Sequence, residues 1–175
     1  MNEEHQLVEI LRSLDRVPCS SDLETPDGFD FEAARAGAVQ LQNRLSKDLE
    51  FPWELSDENQ DASYYFAVHV QNWLPALAIR LSNYGKLAVV TTPNPDSHRD
   101  LDHAVRDGAV TAQQREAIET ALIDLGYTAV PLPLLRRRYD GVTWLADLNA
   151  EDHSFITYPA DAEHVSWWTR YFEHI

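Results

Sequence analysis

Two apolar runs, 77–82 and 86–92, flank the triplet Asn83-Tyr84-Gly85, and no other stretch constrains the chain as much. A short break of this composition between β-forming runs marks a hairpin, because glycine takes the positive φ that the turn demands at little steric cost. The spacing predicts one strand carrying Leu77, Ile79 and Leu81 and a second carrying Leu87, Val89 and Thr91, with Arg80 the one charge inside them apart from Lys86 beside the turn. A further strand precedes them at 63–70, where Tyr64, Phe66, Val68 and Val70 alternate with Tyr65, Ala67 and His69. Both faces of that strand are largely apolar, which predicts a central position covered on two sides. Thr92-Pro93-Asn94-Pro95 stops the sheet, since proline has no N–H for the ladder.

The rest of the chain reads as packing around this sheet. Residues 3–14 have the spacing of a short amphipathic helix, and 18–30, rich in Pro, Gly, Ser and Asp, read as a loop with Asp30 as N-cap. Phe31, Ala34, Ala38, Leu41, Leu45 and Leu49 recur at threes and fours, predicting a helix over 31–49 in which Gly37 is either a weak point or a mark of close packing. Residues 54–62 are acidic with few apolar anchors and are expected to form an exposed loop. A polar connection over 96–109 has room for a helical turn around Leu101 to Val105. Thr111 and Gln114 form a capping box for a helix over 112–125, which Gly126 ends. Strands are expected at 127–130, 142–148 and 154–158, with Pro131 and Pro133 interrupting after the first and a turn at 149–152 between the others. An aromatic helix over 161–174 must dock on something. The sum is an α+β chain, one domain over 1–175. Its mainly antiparallel sheet has about five strands (63–70, 77–82, 86–92, 127–130 and 142–158), packed by helices near 31–49, 112–125 and 161–174.

Charge sets the classes of partner. The net charge is −15, and the N-terminal 62 residues hold 15 acidic against 5 basic side chains, so the acidity is concentrated there. Such a surface repels phosphate backbones and anionic headgroups, which argues against nucleic acid and membrane as partners. Cys19 is the only cysteine, so there is no internal disulfide and no cysteine-based zinc site. With no basic leader and no apolar segment of about 18 residues, the expected location is the cytoplasm.

Catalytic signatures are weak throughout. His98-Arg99-Asp100-Leu101 imitates part of a kinase catalytic loop, but Val105 stands where the metal-binding Asn belongs. His98, Asp100, Asp102 and His103 make the densest set of candidate metal ligands, centred on 96–103, yet the two imidazoles are five residues apart and not the i, i+4 pair of a helical site. Asp147-Leu148-Asn149-Ala150-Glu151 begins like a calcium loop and fails at Asp152 and Tyr158. No cofactor is implied. Arg136, Arg137 and Arg138 form the one dense basic patch, which suits either an anion or neighbouring carboxylates of the same chain.

The remaining signal is for binding. Glu54, Asp57, Glu58 and Asp61 form an acidic segment, and Trp53 and Trp73, flanked by loop residues, are expected to be exposed beside it. Aromatics within an acidic field suit docking of a basic protein. In size, acidity, single-domain organisation and lack of a catalytic signature the chain resembles bacterial immunity proteins that neutralise a cognate toxin. The likeness is of general character and carries no residue correspondence; it implies an inhibitor that docks a basic partner. Two further readings stand beside it: a small metal-dependent or acid/base enzyme centred on 96–103, and a structural homo-oligomer using the C-terminal aromatic helix.

Overall fold

The computed structural model describes residues 3–49, 52–57, 59, 62–70, 77–92, 100–150 and 164–173, Ala150 by its backbone only. In chain order the elements are α1 (Glu3–Asp15), α2 (Phe31–Asp48), β1 (Trp53–Ser56), β2 (Phe66–Val70), β3 (Ala78–Leu81), β4 (Leu87–Thr91), α3 (Leu101–Arg106), α4 (Ala112–Asp124), β5 (Thr128–Ala129), α5 (Leu132–Leu135), α6 (Leu145–Ala150) and α7 (Trp167–Phe172). The strands form one sheet in the order β1-β2-β3-β4-β5, antiparallel except that β5 lies parallel to β4. The fold is α+β with a mostly antiparallel sheet, as the alternation of helical and strand periods predicts.

The hairpin closes where the sequence places it. Leu87 N donates to Tyr84 O across Gly85 and Lys86 (3.2 Å), both at positive φ (56° and 55°), and Ser82 N donates to Leu87 O at 2.9 Å. Positive φ at both central positions is the twist that joins two antiparallel strands directly. Lys86 carries this conformation while its Nζ donates to Leu125 O (3.1 Å) and lies 5.3 Å from the centre of the Tyr127 ring. α4 is bounded as expected: Thr111 and Gln114 cap each other reciprocally. At its other end Gly126 at φ 75° turns the chain so that Tyr127 N reaches Leu122 O at 2.8 Å.

Side-chain alternation divides the core in two. Phe66, Val68, Val70, Ile79, Leu81 and Ala88 point to one face and pack with Ala38, Leu41 and Leu45 of α2 and Ile118 and Leu122 of α4. Leu87 and Val89 point to the other, where Leu11 of α1, Leu132, Leu134 and Leu135 of α5, and Trp167, Tyr171 and Phe172 of α7 cover them. The strand buried on both faces is therefore β4. In β2, expected to be covered on two sides, Ala67 and His69 are only half-buried, because α1, α5 and α7 gather over the hairpin.

Further expectations change. Residues 54–62 do not begin as a loop: Trp53 and Leu55 alternate with Glu54 and Ser56, and this short period-2 stretch pairs with β2 as the outer strand. The region 142–148 is not a strand but a turn leading into α6. Its amides are used locally: Val142 N donates to Asp15 Oδ2 (2.7 Å), Thr143 N to Tyr139 Oη (2.9 Å) and Ala146 N to Thr143 O (3.0 Å), leaving no ladder to form. The proline pair allows one turn of helix, α5, with proline tolerated at the first turn because those N–H groups need no intrahelical partner. The expected strand at 154–158 lies outside the described residues, as do 161–163 and 174 of the expected C-terminal helix. Within the described part that helix begins only at Trp167, because Asn149 takes the Val165 N–H and C=O and Ser166 bridges Arg138 in extended form.

Candidate functional site

The outer edge of β1 is the place where local sequence, charge and open backbone coincide. Ladder parity fixes which groups face outward. Val70 N donates to Leu77 O, toward β3 (3.2 Å); Ala67 and His69 therefore turn to β1, and their partners Ser56 and Glu54 turn back to them. Trp53 and Leu55 are left with N–H and C=O directed away from the sheet. At Trp53 α2 stands in for a further strand: Ser46 Oγ accepts from Trp53 N (3.1 Å) and Gln42 Nε2 donates to Trp53 O (2.9 Å). At Leu55 no described residue does so.

Leu55 opens instead into a cleft of about 590 Å³ lined by Arg35, Val39 and Gln42 of α2, by Glu54, Ser56 and Asp57, and by His69 across the ladder from Glu54. The α2 residues share one side of the helix at roughly four-residue intervals, a stripe that continues through Ser46. Arg35 Nε lies 3.5 Å from Asp57 Oδ2, an exposed pair at the mouth. Upstream on the same stripe Phe31 is 42% exposed and leans on the Phe66 and Tyr65 rings (centroids 5.2 and 5.9 Å away). The cleft thus offers two carboxylates, an imidazole, a paired guanidinium and an open main-chain edge. Carboxylates of this kind can pair with basic groups, and an open strand edge can pair with extended main chain.

Of the residues that the sequence singles out, Glu54 and Asp57 meet here, half-buried and exposed respectively. Trp53 does not present its ring: it is 2% exposed, because the strand's alternation turns it into the core with Leu55. Glu58, Asp61 and Trp73 lie outside the described residues. Arg136, Arg137 and Arg138 are all exposed but their assigned partners diverge, Arg137 Nη2 pairing with Glu4 Oε1 (2.6 Å) and Arg138 donating to Asn149 O. In the 96–103 segment only 100–103 are described. Asp100 caps α3 by accepting from His103 N (2.7 Å), Asp102 pairs with Arg115, and His103 lies 3.5 Å from Asp107. Among the described residues no group of three or more His, Cys, Asp or Glu is placed to hold a metal, and no helix is long and apolar enough to cross a membrane.

The most strongly perturbed ionisable groups sit elsewhere, on the face covered by α1 and α7. Arg170 is fully buried; its Nε donates to Asp15 Oδ1 (2.8 Å), and its guanidinium lies 4.2 and 4.9 Å from the Tyr84 and Tyr171 ring centres. Asp15 Oδ2 also accepts from Tyr139 Oη (2.6 Å). Burial, reinforced by the hydrogen bond to Asp15, pushes the Tyr139 phenol up to about 12. Burial also raises Tyr84 and Tyr171, the nearby Arg170 charge opposing it in both. This network ties the two ends of the chain together.

Sequence reasoning missed the α2 half of the cleft and the whole Asp15–Arg170 network. The Trp53-Glu54-Leu55-Ser56 alternation was the available signal for the first; a pairing across 155 positions left none for the second. No family model, curated protein or solved structure matches the chain. The fold defines an α+β protein with a mostly antiparallel sheet, and the functional reading rests on the residues themselves.

Proposed function

We propose that this protein works by binding a basic partner protein, in the manner of an immunity-type inhibitor, and that the edge of β1 with Glu54 and Asp57 is its docking face. The observation that supports the reading is the coincidence of two carboxylates with an open cleft on the outer strand of a chain whose net charge is −15. The acidic field speeds encounter with a positive target, and contacts within the cleft set the dissociation rate. Glu58 and Asp61 extend the same acidic run in sequence.

The test pairs capture with charge reversal. Immobilised protein is exposed to lysate of its own cells at low and at moderate salt, and the capture is repeated with Glu54→Lys/Asp57→Lys. A basic protein held by the native chain, shed as salt rises and bound at least about tenfold more weakly by the variant is the expected result. A partner held equally by both forms overturns the assignment of this face.

A further inference from the structure

The outward main chain at Leu55, unpaired among the described residues, says more about the partner than its charge. An outer strand with unspent N–H and C=O groups is a template for another strand unless the fold blunts it. Here the blunting is partial: Gln42 and Ser46 occupy the edge at Trp53, and the edge at Leu55 faces the 590 Å³ cleft. We propose that an extended segment of the basic partner adds to the sheet beside β1 as a sixth strand, exchanging main-chain hydrogen bonds with Leu55. This inference rests on the docking reading above and specifies its geometry.

The cleft also dictates the side chains of that segment. Successive residues of a strand face opposite sides of a sheet. On one side of β1 the guest meets Glu54 and His69, and on the other it meets Leu55 and Val39, with the Arg35–Asp57 pair at the mouth. Lysine or arginine at alternate positions satisfies the first side, and aliphatic residues between them satisfy the second. A second copy of this chain is a poor guest, because pairing β1 with itself sets an acidic strand against an acidic strand. Strand addition gives affinity through the main chain and specificity through the alternating pockets.

The probe is a labelled peptide of about eight residues alternating lysine and valine, titrated onto the intact protein at low salt by fluorescence anisotropy. Two modified forms carry N-methyl groups on the lysine amides or on the valine amides. In an added strand only one of these sets faces Leu55, so one modified peptide binds about tenfold more weakly and the other binds like the parent. Leu55→Pro removes the outward N–H without touching the ladder and produces a similar loss; its amide spectrum checks that the fold is kept. Equal binding of all three peptides, with loss only in Glu54→Lys/Asp57→Lys, overturns strand addition and leaves charge docking intact. Binding that survives the charge reversal as well overturns both, and no binding of the parent peptide overturns strand addition while the capture experiment still decides the docking face.

Discussion

The two faces of the sheet are built on different principles. Against α2 and α4 the core is mostly aliphatic, with Leu41, Leu45, Val68, Ile79, Ile118 and Leu122 meeting along helical and strand stripes. Against α1, α5 and α7 it is aromatic and polar, with Tyr84, Tyr139, Trp167, Tyr171 and Phe172 gathered around a fully buried guanidinium and its carboxylate. An aliphatic face gains stability roughly in proportion to area, and apolar residues of similar volume serve nearly as well. The aromatic face gains it through hydrogen bonds shared at Asp15, while Nη1 and Nη2 of Arg170 have no hydrogen-bond partner among the described residues and face aromatic rings, so its parts fail together.

The largest effect therefore belongs to Asp15. Its two oxygens accept from Arg170 Nε, Tyr139 Oη and Val142 N. Asp15→Ala leaves a buried cation without its counter-charge and Val142 N without its acceptor, and leaves Tyr139 Oη only Thr143 Oγ1 at 2.7 Å. Loss of one partner of a buried pair costs about 3 to 5 kcal/mol, which urea unfolding will register as a large fall in midpoint. Replacing both partners, Asp15→Leu with Arg170→Met, removes the charge along with its need and is expected to recover most of the loss. A single variant as stable as the native protein would erase the contrast between the faces.

Alkali probes the same contrast at the next level. The phenols of Tyr84, Tyr139 and Tyr171 all titrate above their ordinary range because burial disfavours the phenolate. Between about pH 10, where an unfolded tyrosine loses its proton, and about 12, where Tyr139 does, the folded state holds a proton that the unfolded state has released. Stability is thus fully present below about pH 10 and falls as pH rises. Tyr139 contributes about 2 to 3 kcal/mol of that fall. The tyrosinate absorbance of these three phenols is expected to appear together with unfolding. On the aliphatic face Tyr127 is raised by burial too, so Tyr127→Phe should move the alkaline limb less than Tyr139→Phe does.

The contrast also separates what was legible in the sequence from what was not. The aliphatic face was legible because it is periodic: Ala38, Leu41 and Leu45 recur at helical spacing and Phe66, Val68 and Val70 at strand spacing, and each period names its own partner surface. Local signals were equally readable, as the Thr111–Gln114 box and the Gly85 turn show. The aromatic face was opaque, because nothing at Asp15 announces Arg170, and because 142–148 looks like a strand until Tyr139 and Asp15 claim its amides. The candidate site was half legible. Charge located Glu54 and Asp57, but the same charge disguised a four-residue outer strand as a loop, and so hid both the burial of Trp53 and the α2 wall of the cleft.

The smallest of these effects tests the aliphatic face at its tightest point. Gly37, in the middle of α2, lowers helix propensity by about 1 kcal/mol relative to alanine, so on propensity alone Gly37→Ala should stabilise. A Cβ there would meet Tyr127 Oη at 2.7 Å, closer than packed atoms tolerate, whereas the ring carbon Cζ behind it is 3.8 Å away. Overpacking of this kind costs about 1 to 3 kcal/mol, which outweighs the propensity gain, so Gly37→Ala is expected to destabilise by about 1 kcal/mol. The hydroxyl alone is in the way. In a Tyr127→Phe background the new methyl makes an ordinary contact, and the same substitution changes sign toward stabilisation. A thermodynamic cycle over the four proteins measures that reversal directly, and additivity within error would show that α2 and the Tyr127 ring are not in contact as described.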